Sequence, residues 1–148
     1  MEIQLEQLAS AGLEMHHMIR DYYKRTNAQD GIPPLRMDWS FYGKLEKQNK
    51  LVIVTARDGY DLVGFAMYIL GEHPQHDAMP FALCNTLAVD VDHRGQGIGT
   101  QLVQAAESYF KTTPVKMIVH GHRTVYDAAP LFPKLGFNLI EHIYMKEI

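Results

Sequence analysis

Residues 87–102 read Leu-Ala-Val-Asp-Val-Asp-His-Arg-Gly-Gln-Gly-Ile-Gly-Thr-Gln-Leu. An apolar strand is expected to end at Val91, a glycine-rich turn follows, and an amphipathic helix begins at once. Gly95, Gly97 and Gly99 leave backbone N–H groups unshielded by side chains. The free N–H groups of the first helical turn point into the same space, and the positive end of the helix favours negative charge. Such a cradle suits a phosphate or a pyrophosphate. The run from Arg94 through Gly95, Gln96, Gly97, Ile98 and Gly99 to Thr100 is therefore expected to hold a phosphorylated ligand.

The elements that must position this turn follow from periodicity and punctuation. Residues 1–8 alternate enough for a first strand. Met15, Met18, Ile19, Tyr22 and Tyr23 recur at helical spacing within residues 11–25. Gly31 and the Pro33-Pro34 pair interrupt the chain. Asp38 can cap a second short helix that carries Trp39, Tyr42 and Leu45. Residues 51–56 and 62–70 read as a hairpin about Asp58-Gly59. A polar loop over 71–80 leads to the strand over 81–91. In the helix after the turn, Ile98, Leu102, Ala105, Ala106 and Tyr109 share one face. Residues 115–120 are a further strand. Pro130 and Pro133 predict a short or broken helix within 125–135, and residues 138–146 are expected to close the chain as a strand. The order β-α-α-β-β-β-α-β-α-β is that of an α+β domain with a mixed sheet, and residues 1–148 fit one domain.

Two nucleotide motifs fail. A dinucleotide fold wants G-x-G-x-x-G in its first strand-to-helix turn and an acidic residue after the next strand. Here the spacing is G-x-G-x-G, the turn lies past mid-chain, and the following strand runs into His120-Gly121-His122. A P-loop ends in Gly-Lys-Ser/Thr, whereas this chain has Gly99-Thr100. The run Arg94-Gly95-Gln96-Gly97-Ile98-Gly99 instead matches Arg/Gln-x-x-Gly-x-Gly/Ala, after Leu-Ala-Val-Asp. It resembles the acetyl-CoA site of the GNAT family of N-acetyltransferases. Leu62-Val63-Gly64-Phe65 is similar to that family's third strand, and Leu131-Phe132-Pro133-Lys134-Leu135-Gly136-Phe137 to its Tyr-Glu-Lys-Leu-Gly-Phe segment.

The resemblance implies the GNAT fold, a mostly antiparallel sheet flanked by helices and splayed between its fourth and fifth strands. It implies acetyl-CoA as cosubstrate. The pantetheine arm would pair with backbone near Leu87, Val89 and Val91, and the pyrophosphate would sit on the N–H groups of residues 94–100. It further implies that an amine attacks the thioester directly, with the Val89 N–H stabilising the developing oxyanion. Removing the proton from a lysine-like amine at neutral pH costs roughly 4–5 kcal/mol, so a base or a water chain helps but no strong base is needed. Alternation puts Leu83, Asn85, Leu87 and Val89 on one face of the strand and Cys84, Thr86 and Ala88 on the other. Asn85 stands where some members carry a base. It cannot take a proton near neutrality but can hold a water or the amine. His73, His76 and Asp77 lie on the preceding loop. The family's acid tyrosine is matched by Phe132 and its cofactor-contacting asparagine by Val125, which leaves Tyr126 as the nearest phenol. A chain with neither residue is also consistent with a weakly active acyl-CoA-binding protein that works through a partner.

Bulk properties set the remaining bounds. The net charge of −3 gives no basic field for nucleic acid or anionic membrane. No apolar stretch approaches the roughly 20 residues that span a bilayer. The first residues do not read as a signal peptide, and a single cysteine, Cys84, excludes an internal disulfide, so a cytoplasmic protein is expected. His73, His76, His120 and His122 lack tight ligand spacing, and no metal is expected. The acceptor is expected to be an amine of a small molecule or a protein. Only residues 138–148 follow Phe137, and an exposed final strand there is a natural homodimer edge.

Overall fold

A computed structural model describes residues 1–26, 33–122, 128–146 and 148. Five strands form one sheet in the order β1 (Glu2–Glu6), β2 (Leu51–Asp58), β3 (Asp61–His73), β4 (Met79–Val89) and β5 (Met117–His120). β1 to β4 are antiparallel, whereas β4 and β5 are parallel. Helix α1 (Leu8–Thr26) and helix α2 (Trp39–Lys47) cover one face, and helix α3 (Ile98–Phe110) covers the other. Helix α4 (Leu131–Lys134) is one short turn, as its two prolines predict.

Side-chain periodicity explains the packing. α1 buries Ala11, Met15 and Ile19 against Ile53, Phe65 and Met67. α3 buries Ile98, Leu102, Ala106 and Phe110 against Val52, Val54, Ala66 and Tyr68. The Asp38 carboxylate accepts the Phe41 N–H at 3.0 Å and so starts α2 where the sequence indicates. Gly59, at φ +60°, turns the β2–β3 hairpin. Arg57 ties three elements together: it meets Glu6 of β1 at 2.6 Å and Glu14 of α1 at 3.0 Å, and donates to the Tyr60 carbonyl at 2.7 Å.

Three expectations change. First, the fourth strand covers Met79–Val89 rather than residues 81–91, because Val91 begins a 3-10 turn (Val91–His93) capped by the Asp90 side chain. Second, residues 138–146 form no strand, and Leu139, Ile140, Ile143 and Tyr144 are exposed. Third, simple alternation fails along β4. Met67 pairs with Thr86 but Tyr68 pairs with Cys84, so Asn85 is an extra residue, a β-bulge. The bulge inverts the parity. Leu87 and Val89 pack on the α3 face together with Ala82 and Cys84, while Ala88 packs against α1.

A buried polar chain crosses the α3 side of the sheet. The Tyr68 hydroxyl lies 3.2 Å from His120 Nε2, and Tyr68 and Cys84 are register partners on neighbouring strands. His120 Nδ1 is buried and has no hydrogen-bond partner among the described residues. Burial pushes the Cys84 thiol up to about 12 and lowers His120 from its ordinary 6.5 to about 4. The Arg57 guanidinium holds Glu6 at about 2, against an ordinary 4.5.

These two depressed values set the acid response. Between pH 6.5 and about 4 the unfolded chain takes up a proton at His120 that the folded chain refuses, so stability falls across that window. Between pH 4.5 and about 2 the same holds for Glu6. Urea unfolding as a function of pH is expected to show both losses. His120→Asn is expected to remove the first and keep the second, and an unchanged slope in that variant would show that His120 does not cause it.

Candidate functional site

The site grows from the place where β5 stops. β4 and β5 pair from Phe81↔Met117 to Cys84↔His120, and among the described residues β4 then continues to Val89 without a paired strand on that side. Which groups the open edge offers follows from the ladder with β3. The Asp90 N–H donates to the Val63 carbonyl at 2.9 Å. Asp90, Ala88 and Thr86 are therefore the residues bonded to β3, and Leu87 and Val89 turn their N–H and C=O groups outward. The Arg94 Nε–H donates to the Val89 carbonyl at 3.0 Å, as that geometry requires. Arg94 thus ties the turn to the strand end. The Leu87 N–H and C=O and the Val89 N–H face the gap.

The glycine turn lies at the far end of the same edge. Gly95 and Gly97 hold φ values of +74° and +79°, a region that side chains other than glycine's rarely tolerate. A Cβ on Gly95 would meet nothing within 4 Å, and one on Gly97 only the end of Gln101 at 4.0 Å. Gly97 is the N-cap of α3 and supplies no side-chain cap. The first bond of the helix is Gln101 N–H to the Gly97 carbonyl at 3.0 Å, so the N–H groups of Ile98, Gly99 and Thr100 have no partner within the helix. Gln96 is exposed, and its carboxamide reaches the Asp92 carbonyl at 3.5 Å. The Ile98 side chain is buried beneath the turn, where it crowds Gly64: a Cβ there would lie 3.1 Å from Ile98 Cγ2. Ile98 thus offers the site its backbone alone. A row of unopposed donors beside an unpaired strand edge fits a diphosphate followed by an amide-bearing chain. Val91 lies off this edge, in the 3-10 turn, with an exposed side chain.

The bulge aims Asn85 toward α2, and the Tyr42 hydroxyl donates to Asn85 Oδ1 at 2.7 Å. Trp39 packs on Tyr42 and donates its indole N–H to His16 Nδ1 at 3.3 Å. Burial and the neighbouring Tyr23 and Asp38 push Tyr42 above the ordinary phenol value, so it is a donor and not a base. The family resemblance did point to Asn85, as the position where some members carry a base, but nothing pointed to Tyr42, whose helical spacing marks it equally as core. His73 and His76 pack against each other with tilted rings, centroids 4.4 Å apart, near the start of β4, and His73 packs on Phe81. Four residues of extended chain, roughly 13 Å, separate Phe81 from Asn85, so neither histidine reaches the bulge. Cys84 is buried with a raised pKa and is no nucleophile. Phe132 packs on His120 at 5.1 Å and on Phe137 at 5.9 Å. Val125 and Tyr126 lie outside the described residues. Among the described residues, no three His, Cys, Asp or Glu side chains are grouped to hold a metal, and no helix is long and apolar enough to cross a membrane.

Comparison with known proteins shows the fold and the family. The fold is shared with a ribosomal-protein-alanine N-acetyltransferase from Brucella melitensis biovar Abortus 2308, at TM-score 0.74 and 19% identity, covering 100% of both chains. It is shared with a predicted acetyltransferase with acetyl-CoA from Clostridium acetobutylicum, at TM-score 0.76 and 15% identity, over 99% of this chain and 95% of the other. It is shared too with an aminoglycoside acetyltransferase from an uncultured soil metagenomic sample, at TM-score 0.72 and 20% identity, over 99% and 96%. No curated protein sequence matches. The family described as Acetyltransferase (GNAT) family matches residues 13–137, and the chain belongs to the GNAT acetyltransferase family.

Proposed function

We propose that this protein is an acetyl-CoA-dependent N-acetyltransferase that passes the acetyl group directly to a primary amine of a small molecule or a protein. The observation that carries the proposal is the junction of an uncapped, glycine-lined helix start with the open edge of β4 at Leu87 and Val89. Bound acetyl-CoA would supply an acyl carbon activated as a thioester. The N–H groups of residues 95–100 hold the diphosphate, and the backbone of Leu87 and Val89 pairs with the pantetheine amides. The Val89 N–H is the donor available to charge that develops on the carbonyl oxygen. On the amine side, Asn85 Oδ1 and the Tyr42 oxygen form a pair of acceptors 2.7 Å apart that can orient an incoming N–H. Neither is a base near neutrality, and His120, lowered to about 4, is neutral there. The amine therefore arrives as the free base or loses its proton to water. The thiolate left by the reaction, an ordinary thiol of pKa about 8.5 once protonated, takes its proton from solvent. The ribosomal-protein and aminoglycoside relatives point to a protein amine and a small-molecule amine respectively.

A second reading, acyl-CoA binding with little turnover, draws support from Phe132, which puts a phenyl ring among His120, His122 and Phe137. Calorimetry with acetyl-CoA tests what both readings share. Gly97→Glu fills the cradle and adds a repelling charge, and is expected to weaken binding by about 100-fold, some 3 kcal/mol. Gly59→Glu imposes a similar positive-φ strain in the β2–β3 hairpin and is expected to leave affinity unchanged. Equal affinity in both variants would refute the assignment of the turn. Thiol release across a panel of amines then separates the two readings. Turnover is expected to rise about tenfold per pH unit below the amine's pKa, as the free-base fraction of the amine rises. Tyr42→Phe and Asn85→Ala are expected to lower kcat/KM by about 10-fold to 100-fold while acetyl-CoA affinity holds. Tight binding with no thiol release would favour the second reading.

A further inference from the structure

Ile69 of β3, Phe81 and Leu83 of β4 and Val119 of β5 are apolar, yet among the described residues they belong to neither core cluster. Register puts them on one face. Met67 packs beneath α1, so Ile69 and Gly71, two and four residues on, point the same way. Ile69 pairs with Leu83, Gly71 with Phe81, and Leu83 with Val119. Their sequence neighbours Tyr68, Ala82 and Ile118 point instead to α3. A Cβ on Gly71 would lie 3.1 Å from the Phe81 ring, so that ring lies over bare backbone. On β3 and β4 the cluster under α1 reaches Met67 and Ala88 and goes no further toward this strip. Leu83 is 38% exposed although its strand lies between two others.

What covers the strip follows from what stands at its ends. At one end is Asn85, two residues past Leu83, with the Tyr42 hydroxyl on its Oδ1. An amine held by that pair lays the rest of its molecule on the neighbouring surface, and along β4 that surface is Leu83 and then Phe81. At the other end His73 packs edge-on to Phe81 and His76 packs against His73, which bounds the strip roughly 13 Å from Asn85. Charge narrows the occupant further. Ile69, Gly71, Phe81, Leu83 and Val119 carry no ionisable group. Asp38, at the start of α2, is a carboxylate close enough to act on Tyr42. One negative charge at the amine end suits one ammonium, whereas a polycation would lay unpaired charges on apolar side chains. On the basis of the acetyl transfer to Asn85-held amines put forward above, we propose that the acceptor is a small monoamine whose alkyl or aryl body lies along Leu83 and Phe81. The amide C–N bond forms as the thioester C–S bond breaks, the amine proton passes to water, and the thiolate takes one back from solvent.

Thiol release at saturating acetyl-CoA across the n-alkylamines tests this. Their ammonium pKa is nearly constant, so the free-base fraction does not vary along the series. kcat/KM is expected to rise about fourfold per methylene from propylamine to hexylamine, and hexylamine to exceed spermidine by about 100-fold. Leu83→Asp is expected to flatten the series and to lower kcat/KM for hexylamine by about 30-fold, mainly through KM, while acetyl-CoA affinity holds. Leu83→Ala is expected to move the same way by about tenfold, and it decides if the aspartate variant does not fold. Methyl NMR of the CoA complex reads the strip without turnover: hexylamine is expected to shift the Leu83 and Val119 methyl signals. If acetyl-CoA binds but no amine releases thiol, the transferase reading fails by itself and these shifts still decide the strip. A flat alkyl series, a preference for spermidine, methyl signals that stay in place, or a leucine-headed peptide that turns over better than hexylamine would each overturn the proposal.

Discussion

The whole site depends on strand pairing that stops early. Among the described residues β4 has a partner strand on its β5 side only as far as Cys84, and from there to Val89 its outward backbone groups have no paired strand. A buried, unpaired peptide group is costly, so such an edge persists only where water or a ligand meets it. The glycine turn continues the same line of donors into the first turn of α3. Edge and turn together make a single track of main-chain groups, and the Arg94–Val89 hydrogen bond holds them in register. Side chains are peripheral to this part of the site. What they do is pack beneath it, as Ile98 does against Gly64, so that the helix start cannot drift from the strand end.

The second constraint is the bulge at Asn85. One extra residue in β4 does two things at once. It sends Leu87 and Val89 to the α3 face, and it presents Asn85 to Tyr42 on the other side of the sheet. In the proposed transfer, the cofactor side and the amine side are thus separated by the thickness of one strand. Trp39 and His16 brace Tyr42 from behind, which gives the exposed amide a defined orientation.

Much of this was legible in the residues. Glycines at 95, 97 and 99 next to an apolar strand announced the turn, and two of them do occupy positive φ. Asp38 and Asp58-Gly59 marked α2 and the hairpin. What escaped was non-local. A bulge is a mismatch between two strands, and period-two counting along one strand cannot register it. Tyr42 meets Asn85 across 43 positions of sequence, and a tyrosine at helical spacing reads the same whether its hydroxyl is idle or engaged. His120 shows no sign in the sequence of its orphaned Nδ1 or its lowered pKa, because both come from Tyr68, Phe132 and Phe137 closing around it. The tail beyond Phe137 carries the composition of a strand, but among the described residues it pairs with none.

The most direct measurement of the central claim is residue-resolved amide NMR during titration with acetyl-CoA. If main-chain donors grip the ligand, the largest shifts fall on the amides of Gly95, Gly97, Ile98, Gly99 and Thr100, with Leu87 and Val89 moving in the same titration. Saturable binding that leaves those seven amides in place and shifts others would contradict the account.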